Sequence, residues 1–334
     1  MNAEPESTWR QRLAVPAGSP RARVAAAALA GLLFGTCSWL AGLAGRNGEE
    51  IRAASELFFA GTRVVLWDDE GGYDAYARRK MFSEEPVPDG KLRYGTRSLP
   101  GGGAKGADPR RPWDLPALRE VVHHLVLHFD ECGTSRQCFK ILQDVRFLSV
   151  HFLLDVDGTL YQTLDLQERA WHATIANDTS VGVEIAHPGC WPSRDDARML
   201  AWYERDSLGY RLRWPGWMRE TGIRTPGFVA RPSRPEPVSG TVHGDVYWQF
   251  DFTDEQYEAL ARLAAALHRV FPRIRLDAPR GADGKVRTTR LSPEELLAFD
   301  GILGHFHVQR NKVDPGPAFD WERFLARARR IASQ

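Results

Sequence analysis

The dipeptide Asp157-Gly158 is the tightest constraint on what this chain can fold into. It sits between two apolar runs in SVHFLLDVDGTLYQ (149–162), and Asp-Gly in that setting favours a two-residue hairpin turn. Two adjacent antiparallel strands are therefore expected there. SVGVEIA (180–186) reads as another short buried strand, and LREVVHHLVLHF (118–129) as a buried strand that ends near His128. SRQCFKILQDVRF (135–147) places Cys138, Leu142 and Val145 along one helical face. Thr253 with Gln256 forms a capping box ahead of an apolar stripe of Tyr257, Leu260, Leu263, Ala264, Leu267 and Val270. Ser292-Pro293 with Glu295 opens a second helix by the same rule, and a last helix begins after Asp320 and carries Phe324, Leu325 and Ile331. Strands interleaved with helices, some joined by hairpins, predict an α/β (mixed α+β) fold with a central mixed β-sheet flanked by helices.

Outside this frame the pattern is weaker. EEIRAASELFFA (49–60) reads as a short amphipathic helix, VVLW (64–67) as a strand, and Pro86–Trp113 as a Gly/Pro/Arg-rich linker or surface loop. Residues 187–250 hold Trp191, Trp202, Trp214, Trp217 and Trp248 among many prolines. These indoles either wall a glycan site or pack the core of an extra subdomain. The organisation expected is 1–48 as an N-terminal tail with a signal peptide or anchor, 49–113 as an extension and linker, and 114–334 as the main domain with the insertion 187–250.

A formal net charge of +1 over 334 residues provides no global field to recruit nucleic acid, so no nucleic-acid partner is expected and binding must be local. From Val24 to Gly45 run 22 residues without a charge, preceded by Arg10, Arg12, Arg21 and Arg23. As a helix at about 1.5 Å per residue they would span about 33 Å, enough for a bilayer core of about 30 Å. Arginines before such a segment keep the N-terminus in the cytoplasm and send the rest out. A cleaved signal peptide with Gly42 and Ala44 before the cut, an uncleaved anchor, and lipidation at Cys37 after an unfavourable Thr36 are the three exported forms; the alternative is a buried helix. Four cysteines are too few for a disulfide-built scaffold, though Cys132 and Cys138 are near enough in sequence to bridge in an oxidising compartment.

For chemistry, His128 lies where a buried strand runs out, His305 follows Gly304, and Asp314 stands nine residues later in a rigid Asp-Pro-Gly-Pro turn. Two imidazoles and a carboxylate are a common catalytic zinc set that leaves a fourth position open. No local motif joins them, and spacing alone leaves a structural role open for each histidine.

LVLHFD (125–130), SVHFLLDVDGTLYQ (149–162), RAWHA (169–173), SVGVEIA (180–186) and GHFHVQRNKVDPGPAFDW (304–321) together resemble, in this order, the type 2 N-acetylmuramoyl-L-alanine amidases. That family includes muropeptide-recycling amidases, phage amidases and animal peptidoglycan recognition proteins, and the likeness covers roughly 114–186 and 249–326. The resemblance implies Zn2+ held by His128, His305 and Asp314, polarising the scissile carbonyl and acidifying water. It implies Glu184 as the proton carrier and Lys312 as the oxyanion partner, a role worth roughly 3–4 kcal/mol. His172 matches a substrate-side histidine beside the metal, and Trp171 a surface for sugar or peptide. His151 falls at a sheet position where the family often has histidine, or is a core residue bonded to backbone; His124, on the face of His128, is a candidate second support. His307 is a rival to His305, but the Gly-His pair at the family position favours His305, and Phe129-Asp130 stands where the family has a small polar residue such as Thr. The Cys132–Cys138 spacing resembles a disulfide of peptidoglycan recognition proteins, worth about 2 kcal/mol. The implied partner is peptidoglycan or muropeptides, cut by a monomer in the cell envelope; the alternatives are a non-catalytic binder of the same fold and a hydrolase of another envelope amide.

Overall fold

The computed structural model describes residues 47–83, 85–86, 93–98 and 113–334. The apolar segment Val24–Gly45, Cys37 and most of the 86–113 run lie outside the described residues. Gly48–Gln334 forms one compact unit. No helix among the described residues is long and apolar enough to cross a membrane.

The first element corrects the helix expected over 49–60. Strands β1 (Glu50–Ala53) and β2 (Glu56–Phe59) pair antiparallel about Ala54 and Ser55, both at positive φ (50° and 65°). The turn is held from far away: the Asp165 carboxylate accepts the Ala54 and Ser55 N–H groups, each at 2.8 Å. Ile51 and Ala53 face inward with period two, so strand pairing satisfies both the backbone and the core. β3 (Val64–Leu66) follows, then β4 (Tyr94–Thr96), which pairs with β8 (Glu168–Ala170).

The expected strand over 118–129 divides. Asp114 caps helix α1 (Leu115–Val121), whose Leu115, Leu118 and Val121 are buried at helical spacing, and strand β5 begins only at His124 and ends at Phe129. Helix α2 (Ser135–Lys140) continues into a π-turn over Ile141–Arg146, which rotates Val145 off the apolar face and leaves it 64% exposed. β6 (Phe152–Leu154) and β7 (Leu160–Gln162) are the hairpin about Asp157-Gly158. Then come β9 (Ser180–Ile185), helix α3 (Ala197–Leu200), two hairpins, β10 (Tyr203–Asp206) with β11 (Gly209–Leu212) and β12 (Val238–Val242) with β13 (Asp245–Gln249), and helix α4 (Asp254–Val270). Helix α5 (Pro293–Ala298), strand β14 (Gly301–Gly304), the one-turn helix α6 (His305–Val308) and helix α7 (Trp321–Ala332) complete the chain. Both expected capping boxes, at Thr253 and Ser292, form.

Among the described residues six strands build the central sheet in the order β14-β5-β9-β6-β7-β3. β14, β5, β9 and β6 run parallel, β6 and β7 antiparallel, and β7 and β3 parallel, so the sheet is mixed as expected. Leu260, Leu263 and Leu267 of α4 and Phe324 and Leu325 of α7 join Leu125, Leu127, Val181 and Val183 in one buried core. Each such side chain contributes about 1.5–3 kcal/mol on burial. In the insertion, Trp191, Trp202, Trp214 and Trp248 pack against Met199, Tyr203, Leu212 and Phe250, an extra core rather than a bare aromatic wall.

Arg97 ties the segment carrying β4 to the sheet. Its buried guanidinium donates to the carbonyls of Leu166, Asn177, Asp178 and Ser180. Beside it lies His151, whose Nδ1 accepts the Gly182 N–H at 3.1 Å, so the ring proton sits on Nε2 and points at Glu168 O, 3.0 Å away. His151 is thus a core histidine. Burial first, and then Arg97, lower its pKa to about 3. An unfolded histidine titrates near 6.5, so below that pH the unfolded state holds the extra proton and stability falls with acid. His151→Gln removes this slope. Between pH 6.5 and 4.5 the wild type is expected to lose roughly 2 kcal/mol more than the variant in urea unfolding. A difference independent of pH would refute the neutral assignment.

Candidate metal centre

Parallel pairing assembles a site that sequence distance hides. β14 runs beside β5 with Gly304 opposite Leu127, so His305, the next residue after the strand, arrives next to His128. β5 runs beside β9 with His128 opposite Glu184, and laterally paired residues of neighbouring strands share a face. Asp314 comes back over β14 in the turn after α6, where its backbone carbonyl accepts the Phe306 N–H.

Three donor atoms converge. His128 Nδ1 lies 2.9 Å from His305 Nδ1 and 3.0 Å from Asp314 Oδ2, and His305 Nδ1 lies 2.9 Å from the same oxygen. All three residues are buried. A tetrahedral zinc with bonds of about 2.0–2.1 Å would hold its donors roughly 3.3 Å apart, so this triangle fits one ion with little adjustment. The outward nitrogens agree. His128 Nε2 is 2.9 Å from His172 Nδ1, and His172 Nε2 is 3.2 Å from Ser180 Oγ. His305 Nε2 is 2.7 Å from Gln309 Oε1. Each ring can place its proton on Nε2, donate it outward and keep the Nδ1 lone pair for a cation. Burial, and next His305, lower the His128 pKa to about 4, which keeps that lone pair free at neutral pH.

The triad opens on a cleft of about 190 Å³ that also holds Glu184, Lys312, Trp171 and His172. Larger clefts lie elsewhere, one of about 780 Å³ between the 79–83 segment and Trp217, but it lacks such a donor set. Glu184 Oε2 is buried with no hydrogen-bond partner among the described residues. Burial, then the charges of Asp314 and Asp130, raise its carboxyl well above the usual range, and Lys312 opposes them. A carboxyl oxygen left without a partner beside three converging donors is equipped to accept a proton. Trp171 stands half-buried on the cleft wall, its backbone N–H held by Ser149 Oγ.

Three expectations need correction, those for His172, His124 and the Cys132–Cys138 pair. His172 lines the cleft, but both its ring nitrogens are engaged, so it backs His128 instead of offering a free donor to substrate. His124 bonds Thr179 Oγ1 and Phe299 O at the far end of β5, about four strand residues from His128, and supports the sheet rather than the site. His307 accepts the Gly304 N–H on Nδ1 and holds Arg287 O on Nε2, leaving nothing to rival His305. Cys132 and Cys138 are free thiols, not a disulfide: they share one buried apolar cluster with Phe139 and Val150, one thiol bonding the other.

Sequence reading also missed supporting residues. Asp130, which replaces the small polar residue after the first histidine, accepts the N–H groups of Cys132, Gly133 and His187 on one oxygen and so fixes the loop. Gln309 was visible as the residue four after His305 on a helical turn. Gly182 was visible as a glycine inside a strand, a sign of close approach. A Cβ there would lie 2.5 Å from His172 Cε1 and Nδ1. Gly182→Ala is therefore expected to cost about 1–3 kcal/mol by overpacking and to weaken metal affinity 10–100-fold by displacing the His172 ring. A chelator-competition titration measures the second effect; wild-type affinity would show that His172 does not hold His128.

With this geometry in place, a family model described as N-acetylmuramoyl-L-alanine amidase matches residues 118–317. The chain belongs to that family. It is similar to the 1,6-anhydro-N-acetylmuramyl-L-alanine amidases AmpD of Haemophilus influenzae (22% identical over 180 residues, 54% of this chain and 58% of that protein) and of Salmonella typhimurium (23% over 188 residues, 54% and 56%). The chain thus spans somewhat over half the length of the curated relatives it matches. Among solved structures it matches a selenomethionine AmpD derivative (19% identical, 70% of this chain and 89% of that one, TM-score 0.31). It also matches the N-acetylmuramyl-L-alanine amidase AmiD of E. coli in complex with a muropeptide substrate (18%, 62% and 57%, TM-score 0.35). The matched residues include the triad and Glu184.

Proposed function

We propose that this chain is a zinc-dependent N-acetylmuramoyl-L-alanine amidase, cutting the amide between the muramic acid lactyl group and L-alanine in peptidoglycan or its soluble fragments. The observation that carries this reading is the meeting of His128 Nδ1, His305 Nδ1 and Asp314 Oδ2 beside the unpartnered Glu184 oxygen. These three residues would hold Zn2+, which when bound supplies Lewis acidity to the amide carbonyl and lowers the pKa of water. Glu184 takes the proton from the attacking water as its oxygen adds to the carbonyl carbon. As the C–N bond breaks, Glu184 delivers that proton to the departing L-alanine nitrogen. Lys312, on the cleft wall, faces the oxygen that becomes negative. Trp171 offers a flat apolar face to sugar or peptide, and His172 keeps His128 oriented from behind. The enzyme acts as a monomer outside the cytoplasm, sent there by the Arg-flanked apolar stretch Val24–Gly45 as a signal or anchor.

The test is to incubate purified residues 46–334 with zinc and either sacculi or a soluble muramyl peptide, then identify products by mass spectrometry. Free stem peptide with an L-alanine amino terminus, lost on chelation, is expected. Binding without release of peptide would overturn the hydrolytic reading.

A further inference from the structure

The cleft contains a second set of ligating groups that the amidase reading does not use. One carboxylate oxygen of Asp130 and the sulfurs of Cys132 and Cys138 all lie within 4.8 Å of one another. The loop that presents them is rigid: Asp130 Oδ1 anchors the backbone at Cys132, Gly133 and His187, which leaves the other carboxylate oxygen without those bonds. Cys138 is fixed on α2, with Thr134 capping the helix and Phe139 beside it in the core. All three groups line the same cleft as the triad, and Glu184, with its unpartnered oxygen, is close enough for its charge to act on both sulfurs.

We propose that Asp130, Cys132 and Cys138, with both cysteines as the free thiols the structure shows, form a second metal site selective for thiophilic divalent ions, whose occupancy in an oxidising compartment competes with closure of a Cys132–Cys138 disulfide. Two thiolates and one carboxylate suit zinc or cadmium, and disfavour magnesium and calcium, which take oxygen ligands. Binding releases the two thiol protons to solvent and leaves an open position facing the cleft. In a cleft of about 190 Å³, an ion there competes with substrate for space and draws the Glu184 carboxylate towards itself. This last consequence rests on the amidase reading: the first equivalent of metal activates and the second inhibits.

Cadmium is the probe, added to the chelator-stripped full chain kept reduced. Wild type is expected to bind two ions, with ultraviolet absorption from thiolate-to-cadmium charge transfer. Cys138→Ser and, independently, Cys132→Ala should bind one ion without that absorption, whereas His128→Ala should lose the other ion and keep the band. With zinc and muramyl peptide, wild-type turnover should fall at least about tenfold from one to two equivalents, a fall absent from Cys138→Ser. One ion per wild-type chain without thiolate absorption overturns the proposal. Two ions with the band but no hydrolysis at any loading would leave the second site standing and remove the amidase reading instead.

Discussion

Glu184→Gln is expected to lower amide hydrolysis by about 10²–10⁴-fold while leaving the fold and the first metal equivalent in place. Gln keeps the shape and volume of the side chain but cannot accept the water proton at neutral pH, so the loss falls on kcat rather than on binding. In barrier terms it amounts to about 3–5 kcal/mol. The structure adds a second, opposite consequence. The carboxyl is buried among Asp314 and Asp130 with one oxygen unpartnered, and its pKa stands well above the ordinary glutamate range. A carboxyl whose folded pKa is raised opposes folding once the pH passes the unfolded value, because the unfolded chain ionises it more readily. In chelator-stripped protein the Gln variant is therefore expected to melt at a higher temperature than wild type at pH 8, and the gap should close as pH drops towards 4. Steady-state kinetics on a muramyl peptide and paired melting curves test both halves. A variant within a few-fold of wild-type turnover would remove Glu184 from the chemistry.

That prediction depends on a register which no local pattern states. What was legible in the sequence was local: the Asp157-Gly158 turn, the boxes at Thr253 and Ser292, and the helix after Asp320 are fixed by residues within one turn of each other. The β1–β2 hairpin was misread as a helix because its turn is held by Asp165, about 110 residues away. In 118–129 the β-branched pair Val121-Val122 suggested a strand, but the Asp114 cap and the buried Leu115–Leu118–Val121 spacing favour a helix up to that point. The site follows the same division. His128 and His305 are 177 residues apart and meet because β14 adds to β5, and Glu184 joins them through the β5–β9 pairing. Periodicity cannot supply strand order in a parallel sheet, since the partners are linked by crossovers rather than turns. The motif order resembling the amidase family supplied it instead, though the backing roles of His172 and Gln309 depend on which ring nitrogen faces inward, and only coordinates carry that.

Asp314→Asn separates the metal from everything else in the cleft. Asn is nearly isosteric and leaves the Asp-Pro-Gly-Pro turn its backbone contacts, including the bond from Phe306 N–H to the residue 314 carbonyl. What it removes is the negative charge at the atom that lies 3.0 Å from His128 Nδ1 and 2.9 Å from His305 Nδ1. Loss of an outer-shell partner costs 10–100-fold in metal affinity, so loss of a directly ligating charge is expected to cost at least about 100-fold. Linkage turns that into a measurable stability difference. At a free zinc concentration of 100 times the wild-type Kd, the ion stabilises wild type by about 2.7 kcal/mol and the variant by about 0.4 kcal/mol or less. Urea unfolding with and without zinc, with Cys138→Ser in both proteins so that the thiolate site is absent, reads both numbers. His307→Ala should leave the zinc-dependent increment at the wild-type value, because His307 spends both nitrogens on Gly304 and Arg287 and none on the ion. Equal zinc stabilisation of Asp314→Asn and wild type would mean that the carboxylate is not a ligand, and the triad would then have to be redrawn without it.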